Sequence, residues 1–356
     1  MTMRISEGMA VIEVEEGIFY NPRMKFCRDF DMTIFREIKE KEKEVRYLDA
    51  LAATGIRGIR AFLEAGFSSV FNDSDKKAVK NIQKNLELNG LEAEVFNMDA
   101  NILMREMSFF HIDIDPFGSP AEFIDSAVIR PKYLSVTATD TAALCGSATN
   151  SGLRKYSAYA LKTEYYPEVG LRVLLGRILS EAGKYDKTPE VLVSFAKEHF
   201  YRVHIRFKRS PRAVREAYKK YGFLLHCFNC LRRYAVLIGE EFEINCECGK
   251  KFTLIGPLWL GELHSQEFVE RIAEDSFELE VKRMLERIRE EREFAFFYDL
   301  HFLTKKLRMS PPPLDGVIES LKEIGFFASK TRFSGTSFKT NAPLEEIFKV
   351  IEKLKE

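Results

Sequence analysis

Between Val45 and Asp140 the chain repeats one pattern, a short apolar run that ends in an aspartate and gives way to a segment with helical spacing. VRYLDALA (45–52), SSVFNDSD (68–75), AEVFNMDAN (93–101), FFHIDID (109–115) and KYLSVTATD (132–140) read as five strands. GIRGIRAFLEAG, KKAVKNIQKNLELNG and AEFIDSAVIR read as helices between them, with Gly66 as the stop of the first. Strands and helices in this alternation form an α/β, doubly wound parallel sheet covered on both faces. In such sheets ligands gather outside the carboxyl ends of the strands. Asp49, Asp73, Asp99 and Asp115 all fall there. One acid at a strand end caps the next helix; four in succession exceed what capping needs.

A chain of 356 residues is too long for one small core, so two or three domains are expected. Apolar residues at 46% and charged residues at 30% describe an ordinary globular protein. No segment has the roughly 18 uninterrupted apolar residues of a membrane span. The start, MTMRISEGMAVIEVEEG, lacks the basic-then-apolar order of a signal peptide. These features predict a cytoplasmic protein with no membrane partner, and nothing calls for an obligate protein partner. The 54 basic and 54 acidic residues cancel, but their placement is uneven. Arg202 to Lys220 carries eight Lys or Arg against Glu216 alone, and KTRFSGTSFK (330–339) carries Lys330, Arg332 and Lys339 with no acid. Both are candidate phosphate-contacting surfaces, weighed against the solvated faces that basic runs usually form.

The loop LDALAATGIRGIR lacks the G-x-G-x-x-G of dinucleotide folds, yet Gly55 and Gly58 permit close backbone approach at a helix N-terminus, which favours an anion. Asp73, 24 residues after Asp49, is placed to accept the hydroxyls of a ribose. Asp99, followed by the small Ala100, is placed to accept the amino group of an adenine. A ligand with a carboxylate, a ribose and an adenine but no phosphate is S-adenosyl-L-methionine. In IDIDPFGSP, Asp115 and the carbonyl of Pro116 could hold an exocyclic amine, Phe117 could stack on its ring, and Gly118 would leave room for it. The plainer alternative is that Asp115 caps a helix and Phe117 fills the core.

Cys227, Cys230, Cys246 and Cys248 fall within 22 residues, as C-x2-C and C-x-C pairs around an apolar hairpin. That spacing suits a tetrathiolate zinc site, structural because four thiolates leave no open position. His226 reads as a neighbour of the site, and Cys27 and Cys145 as buried thiols. From residue 266 the chain is strongly helical. It then runs through YDLHFLTKKL, a break at SPPP with Ser310 as expected N-cap, a helix LDGVIESLKEIG stopped by Gly325, and a hairpin. Helix, turn, helix and hairpin is the order of a winged helix.

Taken together, FYNPRMKFCRD, LDALAATGIRGIR, IDIDPFGSP, VTATDTAALCG and YDLHFLTKKL resemble the tRNA guanine-N2 dimethyltransferases that act at position 26, over nearly the whole chain and in the family's order. The resemblance implies a class I methyltransferase sheet with a C-terminal domain, S-adenosyl-L-methionine as cofactor and tRNA as partner. It implies cofactor contacts at Arg28, Arg57, Asp73, Asp99 and Ala100, and a catalytic carboxylate at Asp115 with Phe117 beside the base. Phe19 then packs over the guanine from the N-terminal segment. Cys27 departs from the family, where an asparagine is expected.

The expected domains are residues 1–205, the methyltransferase sheet with a substrate-capping N-terminal segment; 206–265, a basic segment with the zinc-ribbon-like unit; and 266–356, a helical, winged-helix-like unit that binds tRNA. Two other readings use the same residues. One is an N-methyltransferase acting on another exocyclic amine in DNA or RNA. The other is a non-catalytic zinc and winged-helix nucleic-acid-binding protein, which would have no cofactor affinity.

Overall fold

The computed structural model describes residues 2–274, 276–291 and 294–355. An N-terminal hairpin, β1 (Met3–Glu7) and β2 (Ala10–Val14), leads through an irregular segment to α1 (Lys25–Lys41). Then come β3 (Arg46–Asp49), α2 (Ile56–Ala65), β4 (Ser68–Asn72), α3 (Lys76–Leu88), β5 (Val95–Phe96), α4 (Ala100–Glu106), β6 (His111–Ile114), α5 (Ala121–Ala127) and β7 (Tyr133–Ala138). Gly66 closes α2 in the left-handed conformation, as its position suggests. After α6 (Thr141–Leu144), α7 (Thr149–Tyr156) and α8 (Tyr166–Gly183), two long strands complete the sheet: β8 (Lys187–Lys197) and β9 (Phe200–Arg209).

The seven strands lie in the order β5-β4-β3-β6-β7-β9-β8, parallel except for β9, which runs antiparallel between β7 and β8. The order reverses between β3 and β6, and a crevice opens at that switch point. Strand alternation sorts the side chains. Leu48, Ile112, Ile114, Leu134, Val136, Val203 and Ile205 face one way, into the core shared with α4, α5 and α8. The opposite face carries Tyr47, His111, Asp113, Ser135, Thr137, Arg202 and His204 under α1, all buried.

Several expectations are corrected here. The boundary at 205 falls inside β9, so the sheet extends to residue 209. The basic run from 202 is therefore not one surface: Arg202 is fully buried, and Arg206 pairs with Glu190 in the neighbouring strand. The strongly helical stretch from 266 is two helices, α10 (Gln266–Glu274) and α11 (Leu279–Glu290), after α9 (Pro211–Tyr218); Asp275, between them, lies outside the described residues, as do Arg292 and Glu293 of the acidic EEREF stretch. Phe268, Val269, Ile272, Val281, Leu285 and Ile288 pack with α1 and β8, so both helices belong to the core of the large sheet rather than to a C-terminal unit.

The zinc-ribbon-like segment is a three-stranded antiparallel sheet of β10 (Tyr221–His226), β11 (Arg233–Leu237) and β12 (Thr253–Trp259). The last unit runs β13 (Tyr298–Asp299), α12 (Leu300–Leu307), α13 (Leu314–Glu323), β14 (Ala328–Thr331), β15 (Ser334–Thr340), α14 (Leu344–Lys353), around a core of its own. It has the helix, helix, hairpin order read from the sequence, but α13 begins at Leu314 and Ser310 is not its N-cap. A residue before proline is kept out of the helical region, and three prolines in a row hold the approach extended. Gly325 does stop α13, with φ of +91°.

The hairpin β14–β15 turns Arg332 and Lys339 inward, while Lys330 is exposed and pairs with Asp315 at 2.6 Å. Arg332 donates to Glu291, to the carbonyl of Ser194 in β8 (2.7 Å) and lies 2.8 Å from Nδ1 of His264, while Lys339 reaches Glu291 (2.8 Å) and Glu168 (3.2 Å). Both cations are buried, which removes them from any surface that meets a polyanion. Burial works against the charge of Glu291, but Arg332 and Lys339 outweigh it and hold its carboxyl well below the usual range. Truncation of one member of a buried ionic cluster strands the others without solvent. Arg332→Ala is expected to destabilise the chain by about 3–5 kcal/mol, read as a large drop in melting temperature; an unchanged melting temperature contradicts this assignment.

Candidate active site

The crevice at the switch point is a cavity of about 700 Å³, within the usual size of a small-molecule site. Its walls include the irregular segment around Phe19, Tyr20 and Arg23; the loop after β3 with Asp49, Leu51, Ala52, Ala53 and Arg57; Asp115, Pro116 and Phe117 after β6; Thr139 after β7; and Phe200 at the start of β9. Asp73 completes the wall from the end of β4.

Sheet register dictates the electrostatics beneath it. Asp49 lies opposite Asp113, Asp113 opposite Ser135, Ser135 opposite His204, and Thr137 opposite Arg202. Four adjacent strands thus present polar side chains to one buried layer, and α1 closes it with Asp31. Arg202 donates to both oxygens of Asp113 (2.9 and 2.6 Å) and to Oδ1 of Asp31 (3.0 Å). Arg57, from the first turn of α2, bridges Oδ2 of Asp31 and Oδ2 of Asp115 with its two Nη groups. Burial raises the carboxyl of Asp31, but Arg202 and Arg57 outweigh it and hold it well below the usual range. Burial likewise opposes the charge of Arg57, and Asp31, Asp113 and Asp115 keep it firmly protonated.

Both histidines of the layer are neutral. Burial pushes His111 down to about 3, and burial with the nearby Arg202 lowers His204. Nε2 of His204 sits 3.1 Å from Oδ1 of Asp31, and its Nδ1 sits 2.8 Å from the Ser135 hydroxyl, which is 2.8 Å from Nε2 of His111. Cys27 occupies the position where an asparagine is expected; burial pushes its thiol up to about 12, and its Sγ is 4.0 Å from Nη1 of Arg57.

The expected site residues divide. Asp115 keeps one oxygen on Arg57, and its side chain is a quarter exposed at the cavity wall. Phe117 is 76% exposed and Phe19 is 46% exposed. Their ring centroids are 4.1 Å apart at 60°. That spacing is short of the room a flat ring needs between them, about twice the ~3.4 Å stacking repeat of nucleic acid. Gly118 has φ of +79° with open space around it, so backbone conformation, rather than room for a ring, calls for glycine. Asp49 accepts from the Gly58 amide (3.0 Å), and burial raises its carboxyl to about 7 with Arg57 opposing. Asp73 accepts from the amides of Ala53 and Asp75 (both 2.9 Å) and still lines the cavity.

Arg28 lines it too, but its guanidinium grips Glu7 in a two-pronged pair (2.7 and 2.6 Å) that ties the N-terminal hairpin to α1. Gly55 is the left-handed N-cap of α2 and does not line the cavity, and Gly58 is small because a Cβ there would strike the Phe71 ring at 2.3 Å. Close helix–strand packing, and not ligand approach, requires Gly58. Asp99 and Ala100 do not line the cavity either: Asp99 is exposed and caps α4 through the amides of Asn101 and Ile102, while Ala100 is in the core. Sequence reasoning missed Asp31, Asp113, Arg202 and Glu7. The alternation of RVHIRF, with Arg202 and His204 on one strand face, was the available signal for Arg202.

The four clustered cysteines sit on the loops that join β10 to β11 and β11 to β12. All are free thiols, with Sγ atoms within 4.8 Å of one another. Cys227 and Cys248 are 3.5 Å apart, Cys230 and Cys246 3.4 Å. Zn–S bonds of about 2.3 Å in a tetrahedron place sulfurs about 3.8 Å apart, so the arrangement fits that ion. His226 turns away, with Nδ1 2.7 Å from the Tyr165 hydroxyl. Among the described residues no helix is long and apolar enough to cross a membrane.

Residues 1–352 match the family model described as N2,N2-dimethylguanosine tRNA methyltransferase. A tRNA (guanine(26)-N(2))-dimethyltransferase of Archaeoglobus fulgidus is 51% identical over 99% of both chains. One of Methanosarcina mazei is 38% identical over 94% of this chain and 91% of its own. Among solved structures, Trm1 of Pyrococcus horikoshii in complex with S-adenosyl-L-methionine matches with a TM-score of 0.90 and 31% identity, covering 98% of this chain and 99% of that one.

Burial raises the Glu7 carboxyl, but Arg28 and Arg60 outweigh it and bring it down to about 2. A carboxyl depressed by folding lends stability above its unfolded pKa and loses it as pH falls toward the folded value. Stability is therefore expected to fall between about pH 4.5 and 2, and Glu7→Gln is expected to flatten that limb. An unaltered acid limb in melting temperature against pH contradicts the assignment.

Proposed function

The chain belongs to the N2,N2-dimethylguanosine tRNA methyltransferase family, and from that premise we propose that it transfers methyl groups from S-adenosyl-L-methionine to N2 of the guanine at position 26 of tRNA. The products are the N2-methyl and N2,N2-dimethyl nucleosides. The observation that carries the residue assignment is the half-occupied carboxylate of Asp115, one oxygen pinned by Arg57 at the wall of a cavity whose mouth holds two exposed phenylalanines.

S-adenosyl-L-methionine, when bound, supplies an electrophilic methyl group on a cationic sulfonium. Asp49 and Arg57 would face its charged end, Asp73 its ribose, and the apolar wall of Leu51, Ala52 and Ile56 its flatter parts, with Arg28 and Tyr20 closing the cavity from the N-terminal segment. The target guanine leaves its stack, and Phe19 and Phe117 would clamp its ring. The free oxygen of Asp115 and the carbonyl of Pro116 would accept the N2 hydrogens. They orient the nitrogen lone pair and offset the positive charge that grows on it as the new N–C bond forms. Asp115 would then take the proton the nitrogen sheds. After one transfer the nitrogen retains a hydrogen for Asp115, so a second round is possible; after two none remains. Zinc held by Cys227, Cys230, Cys246 and Cys248 would brace the small sheet between the catalytic and C-terminal units. A tRNA substrate agrees with a cytoplasmic protein.

Asp115→Ala is expected to slow transfer to transcript tRNA by about 100-fold or more, with cofactor affinity within a few-fold; retained activity overturns the assignment. Asp49 titrates near 7 and is charged only above it. Affinity for the cationic cofactor is therefore expected to rise as pH passes upward through that value, with proton release on binding. Calorimetry showing no dependence from pH 6 to 8 removes Asp49 from the cofactor site. Metal analysis of untagged protein is expected to give close to one equivalent of zinc, and less than half an equivalent counts against the tetrathiolate.

A further inference from the structure

A tRNA brings many phosphates to the cavity mouth, yet much of the basic character in the two stretches singled out from sequence is spent elsewhere. Arg202, Arg332 and Lys339 are buried, and Arg206, Lys219 and Lys220 are paired with Glu190, Glu216 and Glu262. What remains of the first stretch is remote from the site. Strand β9 begins at the carboxyl edge of the parallel strands, beside the cavity, where Phe200 lines it, and runs away from it to Arg209. Helix α9, with Arg212 and Arg215, follows at the far edge.

The segment 149–166 is different. It contains α7 and the loop to α8, and α7 is fastened to the site itself. The Tyr156 hydroxyl donates to Oδ1 of Asp140 (2.7 Å) and lies 3.0 Å from the hydroxyl of Ser119, two residues beyond Phe117. Gly118 in turn exchanges hydrogen bonds with Thr139, at the cavity wall. Further along, the backbone of Tyr159 pairs with Gly256 of β12 in both directions (2.7 and 2.9 Å), which fixes the loop while its ring stays 41% exposed.

The charge exposed on this segment is of one sign. Arg154 and Lys162 are exposed, and among the described residues neither has an acidic partner within ion-pair distance; Arg154 donates only to the Asn150 carbonyl and the Ser151 hydroxyl. Lys155, in the last turn of α7, shares Asp140 at 3.2 Å. The segment's acid, Glu164, is buried against Arg233 at 3.5 Å. Tyr159 and Tyr166 add exposed rings. Unpaired cations interleaved with exposed aromatics, on a backbone pinned from two sides, are what a nucleic-acid strand recognises.

We propose that residues 149–166 form the tRNA-docking apron beside the cavity. Arg154, Lys155 and Lys162 take phosphates flanking the extruded guanine, and Tyr159 and Tyr166 pack on the neighbouring nucleotides. The proposal rests on the methyl-transfer reading above for the identity of the polyanion, and on the geometry for its place. Each phosphate contact contributes close to one unit to the slope of log affinity against log salt.

The test uses the full chain with Arg154→Glu and Lys162→Glu together, transcript tRNA, and titrations at several salt concentrations. Affinity is expected to weaken at least tenfold, and the salt slope to shrink by about 1.5–2. Cofactor affinity should stay within twofold, and the single-turnover rate at saturating tRNA should be largely kept. The paired change Arg212→Glu and Arg215→Glu on α9 should leave tRNA affinity within twofold. A folded apron variant with wild-type affinity and slope overturns the proposal, as does an α9 variant that loses as much. If the glutamate pair does not fold, Arg154→Gln with Lys162→Gln carries the same salt-slope test. Wild-type protein that binds tRNA through the apron but transfers no methyl group to it sinks the proposed function and leaves the apron standing. Transfer with an unaltered apron variant does the reverse.

Discussion

Two guanidinium groups buried under α1 hold the active side of the sheet together. Arg202 pins Asp113 and Asp31, and Arg57 joins Asp31 to Asp115. Helices α1 and α2, the strands β6, β7 and β9, and the loop after β6 thereby share one electrostatic cluster. Ion pairs of this depth carry a heavy desolvation cost and are weak evidence of stability on their own. Their consequence is positional: planar forks of fixed geometry constrain the carboxylates they meet. One oxygen of Asp115 is committed to Arg57, and the other is left at the cavity wall.

The same cluster separates the charges by task. Asp31 is locked as a carboxylate beneath the cavity, while Asp49 in the cavity wall is raised to about 7 because only a backbone amide bonds it directly and burial dominates. Two acids a short distance apart thus play different parts, one structural and one able to respond to a cationic ligand. Inward-facing cations recur at the other end of the chain, where Arg332 and Lys339 bind the β14–β15 hairpin to the large sheet. That hairpin serves as an attachment between units.

Much of this was legible in the sequence. The period of two in VRYLD, HIDID and YLSVTA placed the central strands, and Gly66 and Gly325 marked helix ends for the conformational reason that glycine tolerates positive φ. The cysteine spacing brought four sulfurs together. The failures share a cause: local patterns do not report what lies across the sheet. Arg202 looked like part of a surface because its neighbours in sequence are basic, whereas its partners Asp31 and Asp113 are 171 and 89 residues away. Asp99, read as a ligand from its strand-end position, also caps the helix that follows, which the strand pattern alone did not show. Helices α10 and α11 read as part of a separate unit because they follow the cysteine cluster, but their apolar faces belong to α1 and β8.

The most direct test of this account is the single-turnover rate of methyl transfer by Asp31→Asn at saturating cofactor and tRNA. Asp31 touches neither the cavity nor any substrate, yet it holds the far side of Arg57. The account predicts a folded variant with cofactor and tRNA affinities close to wild type and a rate reduced by about tenfold or more, with no further loss when Arg57→Lys is added. A folded Asp31→Asn protein that transfers methyl groups at the wild-type rate would contradict it.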